Sequence, residues 1–199
     1  MRITGGQAKG RLLASLKGWN IRPTSDRARE AIFSLVGQDV TGFRVLDLFA
    51  GTGCLGIEAL SRGASRALFI DNSIQSIKLI KKNLVRCGYE PLGFVWKKDL
   101  TKGLPRKHPL LKEKFHLIFL DPPYEKKMIP PLLGELSDRD LLASPSIAVA
   151  ESFKTETLPE ILGKLQMVRF RTYGETKISI YHFGEDPLAP PTWNNGVME

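Results

Sequence analysis

From about residue 43 the chain alternates short runs that are apolar throughout with longer stretches whose apolar positions recur every three or four residues. FRVLDLF, RALFID, GFVW, FHLIFLD and SIAVAESF predict five strands. LGIEALSRG, SIQSIKLIKKNLVRCG and MIPPLLGELSDRDLL predict helices between them, the first two closed by Gly63 and Gly88. Strands apolar on both faces and joined by crossover helices belong to a parallel sheet covered on both sides, so the fold class is α/β. The rhythm then changes. KLQMVRFRTY and TKISIYHF flank Gly174 and predict a closing antiparallel hairpin, while the final GEDPLAPPTWNNGVME has no period and reads as a loose tail.

Ahead of this body, Arg2-Ile3-Thr4 and the stretch GGQAKGRLL predict a hairpin with a basic tip. In IRPTSDRAREAIFSLVG, Pro23 precedes three candidate N-caps, Thr24, Ser25 and Asp26. Ala28, Ile32 and Leu35 share a helical face and Gly37 ends the run. The expected division is a basic hairpin-and-helix extension over 1–40, a main domain over 41–184 and a tail over 185–199. A chain of 199 residues, 42% of them hydrophobic, supports one well-packed core.

Charge adds a partner class. Lys and Arg number 29 against 21 acids, a net +8, and residues 1–44 hold eight basic and three acidic side chains, +5 of that total. Positive charge concentrated at one end suits a polyanion, whose phosphates release counterions when neutralised; the alternative is a solvated basic face. No run approaches the roughly 18 apolar residues of a membrane helix and the N-terminus lacks the apolar centre of a secretory signal, so a cytoplasmic location is expected. Cys54 and Cys87 share no metal-ligand spacing and are expected to be free, packed thiols.

The chemistry is concentrated at strand ends. In VLDLFAGTGCLGIEAL, Gly51, Gly53 and Gly56 match G-x-G-x-x-G, which lets backbone approach a ligand at a helix N-terminus. Asp71 ends the next strand, 20 residues after Gly51, where a carboxylate can accept both ribose hydroxyls. A pyrophosphate would be poorly served by Asp47, an acid on the approach to the loop. A cationic, phosphate-free nucleoside cofactor is better served, although Asp47 could also cap a helix. Asp99, after the third strand, reads alone as a surface turn residue.

FHLIFLDPPY ends a buried strand in an acid, two prolines and an aromatic ring. Pro122 and Pro123 lack N–H groups, so the local backbone presents carbonyl acceptors, and Asp121 adds more. Such a pocket prefers a planar amine. The Asp121 carboxylate and the Pro122 carbonyl could hold both N–H bonds and turn the nitrogen lone pair toward an electrophile, while Tyr124 could stack on the base. The competing reading is a rigid turn.

D-x-F-A-G-x-G resembles the cofactor loop of class I S-adenosylmethionine methyltransferases, and DPPY resembles their (D/N)PP(Y/F/W) motif for exocyclic amines or amides. With R-I-T-G-G-x-x-x-G-R and R-P-T-S-D-R-A-R-E-A-I-F ahead of them, the ordered motifs resemble the bacterial 16S ribosomal RNA guanine-N2 methyltransferases of the RsmD family, over residues 1 to about 183. The resemblance implies a Rossmann-like methyltransferase with a mostly parallel seven-stranded sheet, and S-adenosylmethionine as cofactor, with no metal. The implied substrate is one guanine of small-subunit rRNA in an assembling particle, with no membrane partner and the enzyme a monomer. It makes Asp47, Phe49, Ala50, Gly51, Gly53, Asp71, Asp99 and Leu100 cofactor contacts, and Asp121, Pro122, Pro123 and Tyr124 the catalytic motif. Arg2, Arg11, Arg22 and Arg29 become candidate contacts to rRNA or the target base.

Within this reading Asp26 pairs with an arginine at the helix start. Cys54 and Asp71 depart from the family's usual alanine and glutamate without removing needed chemistry. Glu151 has no assigned role, and His108, His116 and His182 are surface or packing residues. The rivals are a DNA adenine-N6 methyltransferase, for which a target-recognition segment is missing, and a protein glutamine-N5 methyltransferase, which usually has Asn at position 121. A non-catalytic RNA-binding assembly factor would bind no cofactor, and a nicotinamide oxidoreductase leaves Asp47 and DPPY unexplained.

Overall fold

The computed structural model describes residues 1–15, 26–104, 109–123 and 127–184. The expected caps Thr24 and Ser25, together with Arg22, His108, Tyr124 and the tail, lie outside the described residues. In chain order the elements are α1 (Asp26–Val36), β1 (Arg44–Leu48), α2 (Cys54–Ser61), β2 (Arg66–Asp71), α3 (Ile74–Cys87), β3 (Gly93–Lys97), β4 (Phe115–Leu120), α4 (Ile129–Asp138), β5 (Leu142–Phe153), β6 (Ile161–Leu162), β7 (Leu165–Tyr173) and β8 (Thr176–Phe183).

These strands form one sheet in the order β3-β2-β1-β4-β5-β8-β7-β6. The first five run parallel, as their apolar crossover pattern requires, and β8 and β7 close the sheet antiparallel around the Gly174 turn. Among the described residues eight strands are present where seven were expected. The extra one, β6, is two residues long and pairs only with the start of β7. Two residues carry no readable alternation.

The expected N-terminal hairpin is present but short: Arg2 and Leu12 form its one bridge, with Ile3 N–H donating to the Arg11 carbonyl at 2.9 Å, Gly10 N–H to the Ile3 carbonyl at 2.9 Å and Leu13 N–H to the Met1 carbonyl at 3.1 Å. The chain there spends its backbone groups on α2 as well as on itself. Gln7 N–H donates to the Ser61 carbonyl at 2.7 Å and Ala8 N–H to Ser61 Oγ at 2.9 Å. The two adjacent glycines make that approach feasible: a Cβ on Gly6 would lie 1.8 Å from the Ser61 carbonyl oxygen, and one on Gly5 would lie 2.3 Å from the Arg62 guanidinium.

Each face of the sheet has its own apolar layer. On one, Ile32 and Phe33 of α1, Ile57 and Leu60 of α2 and Ile80 and Leu84 of α3 pack with Ile3 and Leu13 against Val45, Phe69, Phe119, Val149 and Ile180. On the other, Ile129, Leu132, Leu133 and Leu136 of α4 cover Leu46, Leu48, Ile118, Leu120 and Ala150. Each large side chain so buried contributes roughly 1.5–3 kcal/mol of transfer free energy. Side chains alternate along a strand, so Asp71, Asp47, Asp121 and Glu151, at the carboxyl ends of β2, β1, β4 and β5, all fall on the face covered by α1, α2 and α3. Among the described residues no helix is long and apolar enough to cross a membrane.

Candidate active site

β1 leaves the sheet through Phe49, a non-glycine residue with φ of 60°, and continues into Gly51 and Gly53 with φ of 55° and 76°. Left-handed backbone strains a residue that carries a Cβ, which explains glycine at the latter two. Gly56 serves a different need. A Cβ there would lie 2.3 Å from Phe69 Cε1, so its absence sets how closely α2 lies on the sheet.

Carboxylates hold this loop. Gly51 N–H donates to Asp71 Oδ2 at 2.8 Å while Ser73 N–H donates to Asp71 Oδ1 at 2.8 Å, tying the loop to the start of α3. Ser73 in turn caps α3, accepting from the N–H groups of Gln75 and Ser76. Gly56 N–H donates to Asp47 Oδ2 at 3.0 Å, so an acid from β1 caps α2, whose N-terminal Gly53 has no side chain to do so. Asp47 therefore fills the helix-capping role weighed from the sequence, at the lip of the glycine loop. Asp99 is exposed and accepts from Thr101 N–H and Oγ1 at 2.9 and 2.8 Å, with Leu100 buried beside it.

Asp121 follows β4 directly, and its N–H reaches the Leu48 carbonyl of β1 at 3.5 Å. Pro122 is buried and Pro123 exposed. Burial pushes the Asp121 carboxyl well above the usual carboxylate range, and the acids Glu151 and Asp47 push it further. Burial likewise pushes Asp47 up to about 8 against the Gly56 hydrogen bond, with Asp71 adding to the rise. The carboxyl edge of the sheet is thus an acidic, weakly solvated strip with proline carbonyls at one end. It is matched to a ligand carrying positive charge and N–H or O–H donors.

Behind this edge a buried ionic network fixes the N-terminal extension, and Arg29 belongs to it. The sequence reading offers Arg29 to the RNA; the structure buries it fully, pairing it with Asp26 Oδ1 at 2.7 Å and Glu58 Oε2 at 3.6 Å and directing a donor to the Arg2 carbonyl. A side chain enclosed by α1 and α2 cannot reach a polyanion, so its part is to position the extension. Its pairing with Asp26 is the one expected at the helix start. Glu58, also fully buried, accepts from Thr4 N–H at 2.9 Å and Gly5 N–H at 2.7 Å and pairs with Arg62 Nη2 at 2.8 Å. The Arg62 guanidinium lies 4.5 Å from the Phe33 ring centroid.

Sequence reasoning missed Glu58 and Arg62, although an acid inside the apolar run LGIEALS, four residues before an arginine, was the available signal. It also missed Asn83. This buried amide accepts from Ala14 N–H at 2.7 Å and donates to the carbonyls of Ala14 and Thr52 at 3.1 and 2.9 Å, joining the extension to the glycine loop. Arg2 and Arg11 are exposed. His116 accepts from Arg44 N–H at 3.1 Å and stacks on Phe43, a packing role, and both cysteines are buried free thiols.

The family model described as conserved hypothetical protein 95 matches residues 1–182. YlbH of Bacillus subtilis (strain 168) is 39% identical over 183 residues, covering 91% of this chain and 98% of YlbH. Ribosomal RNA small subunit methyltransferase D of Escherichia coli (strain K12) is 29% identical over 185 residues, covering 91% of this chain and 89% of that protein. Among solved structures, yhhF from Escherichia coli superposes with a TM-score of 0.78 at 28% identity, covering 92% of this chain and 98% of its own. An RNA methyltransferase from Salinibacter ruber in complex with S-adenosyl-L-homocysteine shares the fold at 17% identity, with a TM-score of 0.59 over 86% of this chain and 99% of its own. The architecture is that of class I S-adenosylmethionine-dependent methyltransferases.

Proposed function

This chain belongs to the conserved hypothetical protein 95 family, and from that membership we propose that it transfers a methyl group from S-adenosylmethionine to the exocyclic N2 of a guanine in small-subunit ribosomal RNA during subunit assembly. The observation that carries the chemistry is the acidic strip formed by Asp71, Asp47 and Asp121 beside a proline pair that lacks N–H donors. The names of the relatives support the RNA substrate.

The strip fits the cofactor. Asp47, held near 8 by burial, would take the ammonium of the methionine moiety, and a positive charge there would favour its ionised form. Asp71 already accepts one backbone N–H on each oxygen and retains lone pairs for ribose hydroxyls. Asp99 and Leu100 would meet the adenine, and Phe49, Ala50, Gly51 and Gly53 would form the lip of the pocket. S-adenosylmethionine supplies an electrophilic methyl group when bound.

The chain's own residues then act on the target amine. The Asp121 carboxylate and Pro122 carbonyl accept its two N–H bonds, drawing the nitrogen lone pair out of conjugation and aiming it. Such positioning accounts for most of the acceleration expected of an in-line transfer. The nitrogen becomes acidic once it bears four bonds, and Asp121, whose carboxyl is held well above the usual range, would receive the proton. Tyr124 would supply a stacking face, and Arg2, Arg11 and Arg22 would meet phosphates.

Incubation with labelled S-adenosylmethionine and small-subunit particles lacking the modification, followed by nucleoside analysis, should yield N2-methylguanosine. Its absence sinks the proposal, and label in protein or in N6-methyladenine points to a different acceptor. Asp121→Ala should lower transfer by at least about 100-fold while calorimetric cofactor binding survives; loss of both would make the motif structural.

A further inference from the structure

α3 carries Lys78, Lys81, Lys82 and Arg86 and no acid, and all four are exposed. At 100° per residue they occupy one side of the helix, opposite Leu79, Ile80, Asn83 and Leu84, which face the core. A solvated helix face ordinarily mixes signs so that pairs one turn apart attract; here Lys78 with Lys82, and Lys82 with Arg86, repel. Among the described residues none of the four forms an ion pair, whereas Arg44, Arg66, Lys114, Arg139 and Lys154 all do.

The helix dipole explains only part of this. Arg86 lies in the last turn, and the Arg11 guanidinium donates to its carbonyl at 3.0 Å, both favourable at a C-terminus. Lys78, Lys81 and Lys82 sit mid-helix, where the dipole offers nothing. The Arg11 hydrogen bond also makes the exposed cations of the N-terminal loop, Lys9 and Arg11, continuous with the helix face. The row begins near the site and leads away from it: α3 starts three residues after Asp71 and runs back antiparallel to the strands, so Lys78 lies about one turn below the carboxyl edge and Arg86 about 12 Å further along the helix.

We infer that the outer face of α3, with Lys9 and Arg11, is a docking surface for the phosphate backbone of the substrate RNA, outside the pocket that takes the target base. Lys78 and Lys82 are one turn apart, about 6 Å along the axis, and Arg86 extends the row by the same step. A flexible row of cations meets a strand of phosphates without reading its bases. The inference rests on the proposed RNA substrate.

The test compares Lys78→Glu/Lys82→Glu with a charge-matched control, Lys112→Glu/Lys164→Glu, at exposed positions away from α3. On small-subunit particles the α3 variant should raise KM about tenfold or more at moderate salt with kcat and S-adenosylmethionine affinity unchanged. The slope of log affinity against log salt should fall by roughly 0.7–0.9 for each phosphate that is no longer neutralised. The control should stay near wild type. Unchanged KM and salt slope in the α3 variant, while the wild type methylates particles, overturn the surface alone. A weaker affinity with the wild-type salt slope also overturns it, pointing to a protein face. A wild type that methylates no RNA overturns the surface and the substrate reading together.

Discussion

At Asp47 the hydrogen bond from Gly56 favours a carboxylate, while burial and the charge of Asp71 favour the neutral acid and hold the group at about 8. The unfolded chain loses this proton near 4. Between those values the folded protein binds the extra proton, so stability is greatest at the acid end of the window and falls as pH rises toward 8. The cofactor-free protein should therefore lose up to about 1 kcal/mol per pH unit across pH 5–8 from this group, and Asp47→Asn should flatten the decline in calorimetric scans. Binding of S-adenosylmethionine should release close to one proton at pH 7, readable by titration in buffers of different ionisation enthalpy. Residues of this kind were legible in the sequence because strand, glycines and acid are neighbours along the chain. Arg29 was not, since its partner Glu58 lies on another helix and nothing local separates a buried arginine from an exposed one.

Elements with a clear period were readable: five parallel strands, the crossover helices and the closing hairpin appear where alternation or helical spacing placed them. β6 was not, because two paired residues leave no pattern, whereas the short pairing of Arg2 with Leu12 was signalled by the glycine turn between them. α2 shows what a period cannot convey. Its face toward the N-terminal loop is ionic and dry, with Glu58 shared among Arg29, Arg62 and the backbone of Thr4 and Gly5. Removing one member of a buried network strands the others, so Glu58→Ala should cost about 3–5 kcal/mol. That corresponds to roughly 6–20 °C in melting temperature for a protein of this size, measurable by calorimetry. Glu58→Gln, which keeps an acceptor for the two N–H groups, should cost less.

Across the whole molecule Asn83 is the point where the extension and the glycine loop meet. Asn83→Ala leaves the Ala14 N–H and the Thr52 carbonyl without their partner, an expected loss of about 1–3 kcal/mol in stability. Loosening Thr52 should also weaken S-adenosylmethionine binding by about 0.5–2 kcal/mol, although Asn83 lies outside the row of pocket acids. Asn83→Asp keeps the acceptor for Ala14 N–H but turns a second carboxylate oxygen against the Ala14 and Thr52 carbonyls, so it should cost at least as much stability as alanine; thermal melts and binding titrations on the same samples separate stability from affinity.

The strand order also carries a consequence for how the protein is made. Among the described residues β8 is the last strand synthesised, yet it lies inside the sheet, between β5 and β7. Until residues 176–183 emerge, β5 has an open edge, and the inward faces of Ile147 and Val149 lack Ile178 and Ile180 beside them. At about 5–20 residues per second that interval is a few seconds after β5 is complete. Final assembly therefore waits on the C-terminal hairpin, and a nascent chain stalled before Thr176 would present a bare, apolar strand edge to whatever protein it meets first.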